Sequence, residues 1–106
     1  MRTIKIYQIK RELSDEELTQ ILFRDYETVN SRCPNALTTD FNKYYREVYE
    51  MSNVPAKANE LILSDLWEMF NIDLPDDYEG RSMSVSDVVE IGDKRYYCDS
   101  IGWVEL

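Results

Sequence analysis

Carboxylates are the side chains of this sequence whose number and spacing could do chemistry. Between Lys57 and Arg81 the chain has no basic residue but several acidic ones. They are Glu60, Asp65, Glu68, Asp73, Asp76, Asp77 and Glu79. Such an acidic interval could dock against a basic groove as a nucleic-acid backbone does, associating fast and weakening in salt. The alternative is a solvated helix face followed by an acidic loop.

The segment Asp76-Asp77-Tyr78-Glu79 also offers the oxygen ligands that Mg²⁺ and Ca²⁺ prefer. Its spacing differs from that of a Ca²⁺-binding loop, and no distant bidentate glutamate follows it. A two-metal nuclease centre would lack an obvious His or Lys partner nearby. We therefore expect no metal and no cofactor, and a Mg²⁺-dependent hydrolase built on Asp76 and Asp77 is the least favoured alternative.

Nucleophilic catalysis has little support in this chain. It contains no histidine, so Ser–His and Cys–His pairs are impossible. Two cysteines are too few ligands for structural zinc, and no glycine-rich phosphate loop is present. Two carboxylates could still act as acid and base, but nothing in the sequence selects a pair. We predict that the protein is not an enzyme and has no catalytic residues.

The composition favours a folded, acidic protein of the bacterial cytoplasm. Its 106 residues suit one domain, 1–106, and 43% of them are hydrophobic. A net charge of −9 disfavours nucleic acid and favours basic protein partners, although acidity can also serve solubility alone. The N-terminus has no apolar stretch that fits a signal peptide or a membrane span. Cys33 and Cys98 are expected to be free thiols.

The first half of the chain predicts a strand and at least one helix. Thr3 to Lys10 is β-branched and aromatic on both alternations, which fits a strand covered on both faces. Ser14 and Glu17 form a capping-box pattern before a helix from about 15 to 23. The stretch 24–35 is ambiguous and ends in a proline breaker.

Two further helices are indicated by apolar spacing. Phe41, Tyr44, Tyr45 and Val48 recur at i, i+3, i+4 and i+7, although 48–51 could instead be a short strand. The range 59–72 is the surest helix, with Asn59 as a reasonable N-cap residue. A helical projection places six apolar residues on one broad side, namely Ile62, Leu63, Leu66, Trp67, Met69 and Phe70. Glu60, Ser64, Asp65 and Glu68 fall on the opposite side. The outward face is therefore expected to be uniformly negative.

The C-terminal third predicts β structure. Met83 and Val85 alternate with serines, and the apolar run 88–91 leads into Gly92-Asp93, the pattern of a type II′ hairpin turn. The return strand covers 94–99, and a last short strand covers 103–106. The sum is an α+β fold with two or three helices packed on a mostly antiparallel sheet that ends in a C-terminal β-hairpin.

Residues 66–106 resemble the YodL-like domain, a family found in proteins of conjugative transposons and other bacterial mobile elements. The resemblance is carried by the F-N-x-x-x-P-x-D-Y/F-x-G run over 70–80 and by S-x-S-V-S-D-V-V over 82–89. The Y-Y-C-D-S segment at 96–100 and the closing Gly102-Trp103 pair complete it. Lys5 to Lys10 and the YREVY segment at 45–49 also look like the family's opening strand and central motif.

One position departs from the family pattern. The family commonly has His before the serine run, where this chain has Arg81. A catalytic His–Ser–Asp set is therefore excluded here. A structural account suffices: Met83 and Val85 point inward, Ser86-Asp87 shapes a turn or bulge, and Asp99-Ser100 caps a loop.

The resemblance implies a habitat of phage, plasmid and transposon accessory genes. In size and charge the chain is also similar to anti-CRISPR inhibitors of the type II effector nuclease, whose basic grooves hold guide RNA and target DNA. We therefore expect an inhibitor that binds such a nuclease through the acidic interval and blocks RNA loading or DNA access. The alternative is a non-catalytic accessory or assembly module of a mobile element, with no defence target.

Overall fold

The computed structural model describes residues 2–106 and consists of one sheet with helices on both faces. The strands are β1 Arg2–Ile9, β2 Tyr45–Val54, β3 Val88–Ile91, β4 Lys94–Cys98 and β5 Trp103–Glu105. The helices are α1 Asp15–Ile21, α2 Tyr26–Arg32, α3 Phe41–Tyr44 and α4 Asn59–Ile72, with a 3₁₀ turn at Pro34–Leu37. The strand order is β2-β1-β3-β4-β5, and each neighbouring pair is antiparallel. The predicted α+β class is confirmed.

The first strand lies in the middle of the sheet and contributes to both layers of the core. Ile4 and Ile6 pack with Leu66 and Phe70 of α4 on one face. Ile9 packs on the other face with residues of α1, α2, α3 and the 3₁₀ turn. Burial on both alternations is what the apolar pattern of β1 predicts, and this prediction is confirmed.

Local signals place the first two helices. Ser14 and Glu17 form the predicted capping box at the start of α1. The ambiguous stretch after it becomes α2, whose N-cap Asp25 accepts a hydrogen bond from the backbone of Thr28, followed by the 3₁₀ turn that begins at Pro34. No helix within residues 2–106 is long and apolar enough to cross a membrane.

The predicted helix through Phe41 and Val48 is wrong beyond Tyr44. The helix ends there and the ten-residue strand β2 follows, so the alternative reading as a strand is correct and the strand is longer than 48–51. β2 pairs with the edge of β1, placing Tyr45 opposite Ile9. The apolar spacing over so few residues fits either element, and strand pairing with β1 decides between them.

The long helix α4 has the predicted bounds but a different N-cap. Ala58 is the N-cap residue and makes no side-chain capping bond, whereas Asn59 is already helical. The Asn59 side chain accepts a hydrogen bond from Arg2 and donates one to the hydroxyl oxygen of Tyr96 at 2.7 Å. It therefore ties the start of α4 to the sheet instead of capping the helix.

The C-terminal hairpin is confirmed, but β structure begins later than expected. Ile91 pairs with Lys94, and Gly92 has a φ of 63° as a type II′ turn requires at its first position. Residues 83–87 are not a strand, because Val85 and Ser86 form a turn in which Ser86 has a φ of 84°. Met83 is buried as predicted, whereas Val85 is only half-buried.

Candidate partner-binding surface

The seven carboxylates of the acidic interval all belong to exposed residues. Glu60, Asp65 and Glu68 lie on α4, and Asp73 is the C-cap residue of that helix. The other three lie in the loop between α4 and β3: Asp76, Asp77 and Glu79. One helix and the loop after it therefore carry the whole predicted site.

These carboxylates spread over both flanks of α4 instead of forming a single stripe. Glu60 lines a groove toward β5, whereas Asp65 lines a shallow apolar cleft toward β2. Asp65 forms an ion pair with Lys57. Asp77 accepts a hydrogen bond from the Tyr49 hydroxyl at 2.8 Å, and this bond raises the pKa of Tyr49. The remaining carboxylates of the interval make no ion pair within residues 2–106.

The outward face of α4 is not uniformly negative as expected. Leu61 and Ile72 are 57% and 78% exposed. At 100° per residue Leu61 projects about 20° and Ile72 about 40° from Glu68, so both lie on the acidic side of the helix. Trp67 and Leu74 are also exposed, at 42% each. The helical projection that identifies the core side also places Leu61 and Ile72 outside it, so their exposure could have been predicted.

The S-x-S-V-S-D motif forms a buried polar network. Asp87 is fully buried and accepts hydrogen bonds from the Arg81 guanidinium at 2.8 Å, the Ser84 backbone at 3.0 Å and the Gln8 amide at 3.1 Å. Ser86 accepts one from the backbone of Phe23 through its hydroxyl. The carboxylate is thus enclosed by donors that hold the turn against β1.

Two opposing effects set the protonation of Asp87. Burial raises the pKa of Asp87 to about 6, and the charge and hydrogen bonds of Arg81, Ser84 and Gln8 oppose that rise. Asp87 is therefore ionised at neutral pH, paired with Arg81. Because it is enclosed, its charge and hydrogen bonds act on the turn and on β1.

The raised pKa of Asp87 predicts a pH dependence of stability. The pKa of a free aspartate is about 3.9, so between about pH 4 and pH 6 the folded state binds the proton more tightly than the unfolded state. This group's contribution to the free energy of unfolding should therefore fall by up to about 3 kcal/mol as the pH rises through that window. Urea denaturation of the wild type and of Asp87→Asn at about pH 4 and about pH 7 isolates the effect. Equal pH dependence of the two proteins would contradict it.

The Y-Y-C-D-S segment at 96–100 stabilises the helical layer that contains α2. The Asp99 carboxylate accepts hydrogen bonds from the backbone of Tyr26, the first residue of α2, at 3.1 Å and from the backbone of Ser100 at 2.8 Å. It thus caps the loop before β5, in line with the structural account of the motif. Within residues 2–106, no group of three or more His, Cys, Asp or Glu side chains is placed to hold a metal ion.

The fold and the exposed carboxylates define an acidic α+β protein with a mixed acidic and apolar surface on one helix. The model of the YodL-like domain matches residues 3–106, and the chain belongs to that family. The family match thus extends the resemblance of residues 66–106 over the first strand and the helices. No curated protein and no solved structure matches the chain significantly.

Proposed function

We propose that the protein is a non-catalytic inhibitor that binds a basic nucleic-acid-handling protein through α4 and the loop after it. The proposed partner is a type II CRISPR effector nuclease in the cytoplasm of the bacterial host. The observation that carries the proposal is the exposure of all seven carboxylates on a segment without a basic residue between Lys57 and Arg81. A surface of this charge complements a groove built for nucleic-acid backbones.

The position of the charge at the end of α4 supports a role in binding. Asp73 is the C-cap residue, the last turn contains no basic residue, and further carboxylates follow in the loop. Negative charge near a helix C-terminus opposes the helix dipole and costs about 0.3–1 kcal/mol. Charge that lowers local stability is expected where a binding surface needs it.

The apolar residues between the carboxylates could contribute the binding affinity that charge alone does not provide. Leu61, Ile72 and Leu74 are exposed beside the acidic residues. In protein complexes, charge mainly speeds encounter and sets specificity, whereas buried apolar contacts contribute most of the affinity. A mixed surface of this kind suits a partner whose basic residues surround apolar ones.

Two side chains that could act in catalysis, Asp87 and Cys98, are buried. Asp87 is held by Arg81 and the turn, and burial raises the pKa of the Cys98 thiol to about 12. Cys98 is therefore a neutral thiol at physiological pH and a poor nucleophile. These features support binding over chemistry as the proposed activity.

An order-of-addition assay tests the proposal. The purified protein is mixed with a type II effector nuclease before or after guide RNA, and DNA cleavage is measured. Loss of cleavage only when the protein is added first would mean competition with guide RNA for a basic groove. Loss in either order would mean a block of DNA access. Full cleavage in both orders, across several such nucleases, would overturn the proposal and favour an accessory module of a mobile element.

A further inference from the structure

Both tryptophans of the chain line one groove between α4 and the end of the sheet. Trp67 lies on α4 and Trp103 begins β5, and the groove between them has a volume of about 420 Å³. Its polar lining residues are Glu60, Ser64, Asp99 and Ser100. We call it the tryptophan groove. Two indole rings from distant parts of the chain thus share one concave surface with two carboxylates.

The charge of the tryptophan groove is entirely negative. Its charged lining residues are Glu60 and Asp99, and no Lys or Arg of the described part of the chain lines it. Asp99 already accepts hydrogen bonds from two backbone groups, those of Tyr26 and Ser100. Glu60 is exposed and makes no ion pair within residues 2–106. The Glu60 carboxylate is therefore available to a ligand in the groove.

We propose that the tryptophan groove binds an arginine side chain of the basic partner. A guanidinium can stack on an indole ring, is weakly hydrated, and forms two parallel hydrogen bonds to a carboxylate. Trp67, which is 42% exposed, offers the ring. Glu60 lies two turns earlier on the same face of α4 and offers the carboxylate. The inference rests on the proposed function and assigns the contact that would anchor it.

The rim of the groove supports a role in protein recognition. Ile101 lies between Ser100 and Gly102, which line the groove, and is 91% exposed. An exposed apolar side chain beside a cationic subsite can cover the partner's backbone and keep water from the contact. The subsite thus combines a charged anchor with the apolar surround that interface hot spots have.

The position of the tryptophans allows a direct test by fluorescence. Because the chain has only these two tryptophans, its intrinsic emission reports the groove. The probe is a ten-residue peptide that alternates arginine and serine, and its control is the same peptide with citrulline, which keeps the shape but lacks the charge. The arginine peptide should change the emission saturably and bind at least about tenfold more tightly than the citrulline peptide.

Variants on α4 distinguish binding in the groove from nonspecific electrostatic attraction to the acidic protein. Trp67→Leu should weaken peptide binding about fivefold or more, with Trp103 still reporting. Glu60→Gln should weaken it by a similar factor, whereas Glu68→Gln, the same change outside the groove lining, should alter it less than about twofold. Equal effects of the two glutamine variants, or equal binding of the two peptides, would overturn the proposal.

The same variants distinguish this inference from the proposed function. Peptide binding in the groove without any effect on nuclease cleavage would retain the groove and overturn the nuclease as partner. Cleavage inhibition that Trp67→Leu and Glu60→Gln leave unchanged would overturn the groove as the anchor and retain the proposed function.

Discussion

Asp87→Ala is expected to lower the free energy of unfolding by about 3 kcal/mol at neutral pH, a large effect for a single substitution. The substitution removes the acceptor of three hydrogen bonds, from Arg81, Ser84 and Gln8. Breaking a buried ion pair by removing one partner leaves the other charge uncompensated in a poorly solvated site. A loss of this size is a large part of the stability of a protein of this length.

This expectation agrees with the raised pKa of Asp87. Burial makes the ionised carboxylate costly, so the complete pair adds little net stability, yet each member depends on the other. The double variant Arg81→Met/Asp87→Ala should therefore lose less stability than the sum of the two single variants, by about 1–3 kcal/mol. Urea denaturation gives both values.

A matched substitution shows whether the effect comes from the network. Asp76→Ala removes an exposed carboxylate from the same loop and should change the free energy of unfolding by less than about 0.5 kcal/mol. If Asp87→Ala lost no more than Asp76→Ala, the network would not be what holds the turn against β1.

Features fixed by neighbouring residues could be predicted from the sequence. The capping box of α1, the bounds of α4 and the Gly92-Asp93 turn each depend on a few adjacent residues. The acidic interval could likewise be found, because exposure follows from charge on an amphipathic helix and its loop. The exposed residues Leu61 and Ile72 were within reach of the same helical projection.

Features that depend on distant residues could not be predicted in this way. The strand β2 forms because β1 offers an edge to pair with, and its own spacing fits a helix equally well. Gln8 and Asp87 are 79 positions apart in sequence but bonded in the fold. The tryptophan groove has the same origin, because Trp67 and Trp103 line one groove only after the sheet has formed.

Reversing three charges on the proposed surface is expected to weaken partner binding about 100-fold while the protein stays folded. The variant Glu68→Lys/Asp73→Lys/Asp76→Lys changes the net charge from −9 to −3 and places like charges against a basic groove. These residues are exposed, and lysine at Asp73 suits the C-terminus of α4 better than aspartate does. The melting temperature should therefore stay constant or rise as binding falls. Affinity for the nuclease and thermal unfolding are measured on the same samples.

A control with the same net charge tests whether location matters. Asp15→Lys/Glu16→Lys/Glu27→Lys also reaches −3, but its residues lie on α1 and α2, on the opposite face of the sheet from α4. It should weaken binding no more than about fivefold, through the long-range field alone, and this residual effect should vanish as salt rises from about 0.05 M to about 0.5 M. Equal losses in the two triple variants would show that total charge, and not the surface of α4, governs binding. The control residues lie in the first turns of α1 and α2, where lysine opposes the helix dipole, so thermal unfolding must show that the control is folded at the assay temperature. A large loss of binding confined to the α4 variant, with both proteins folded, would locate the interface.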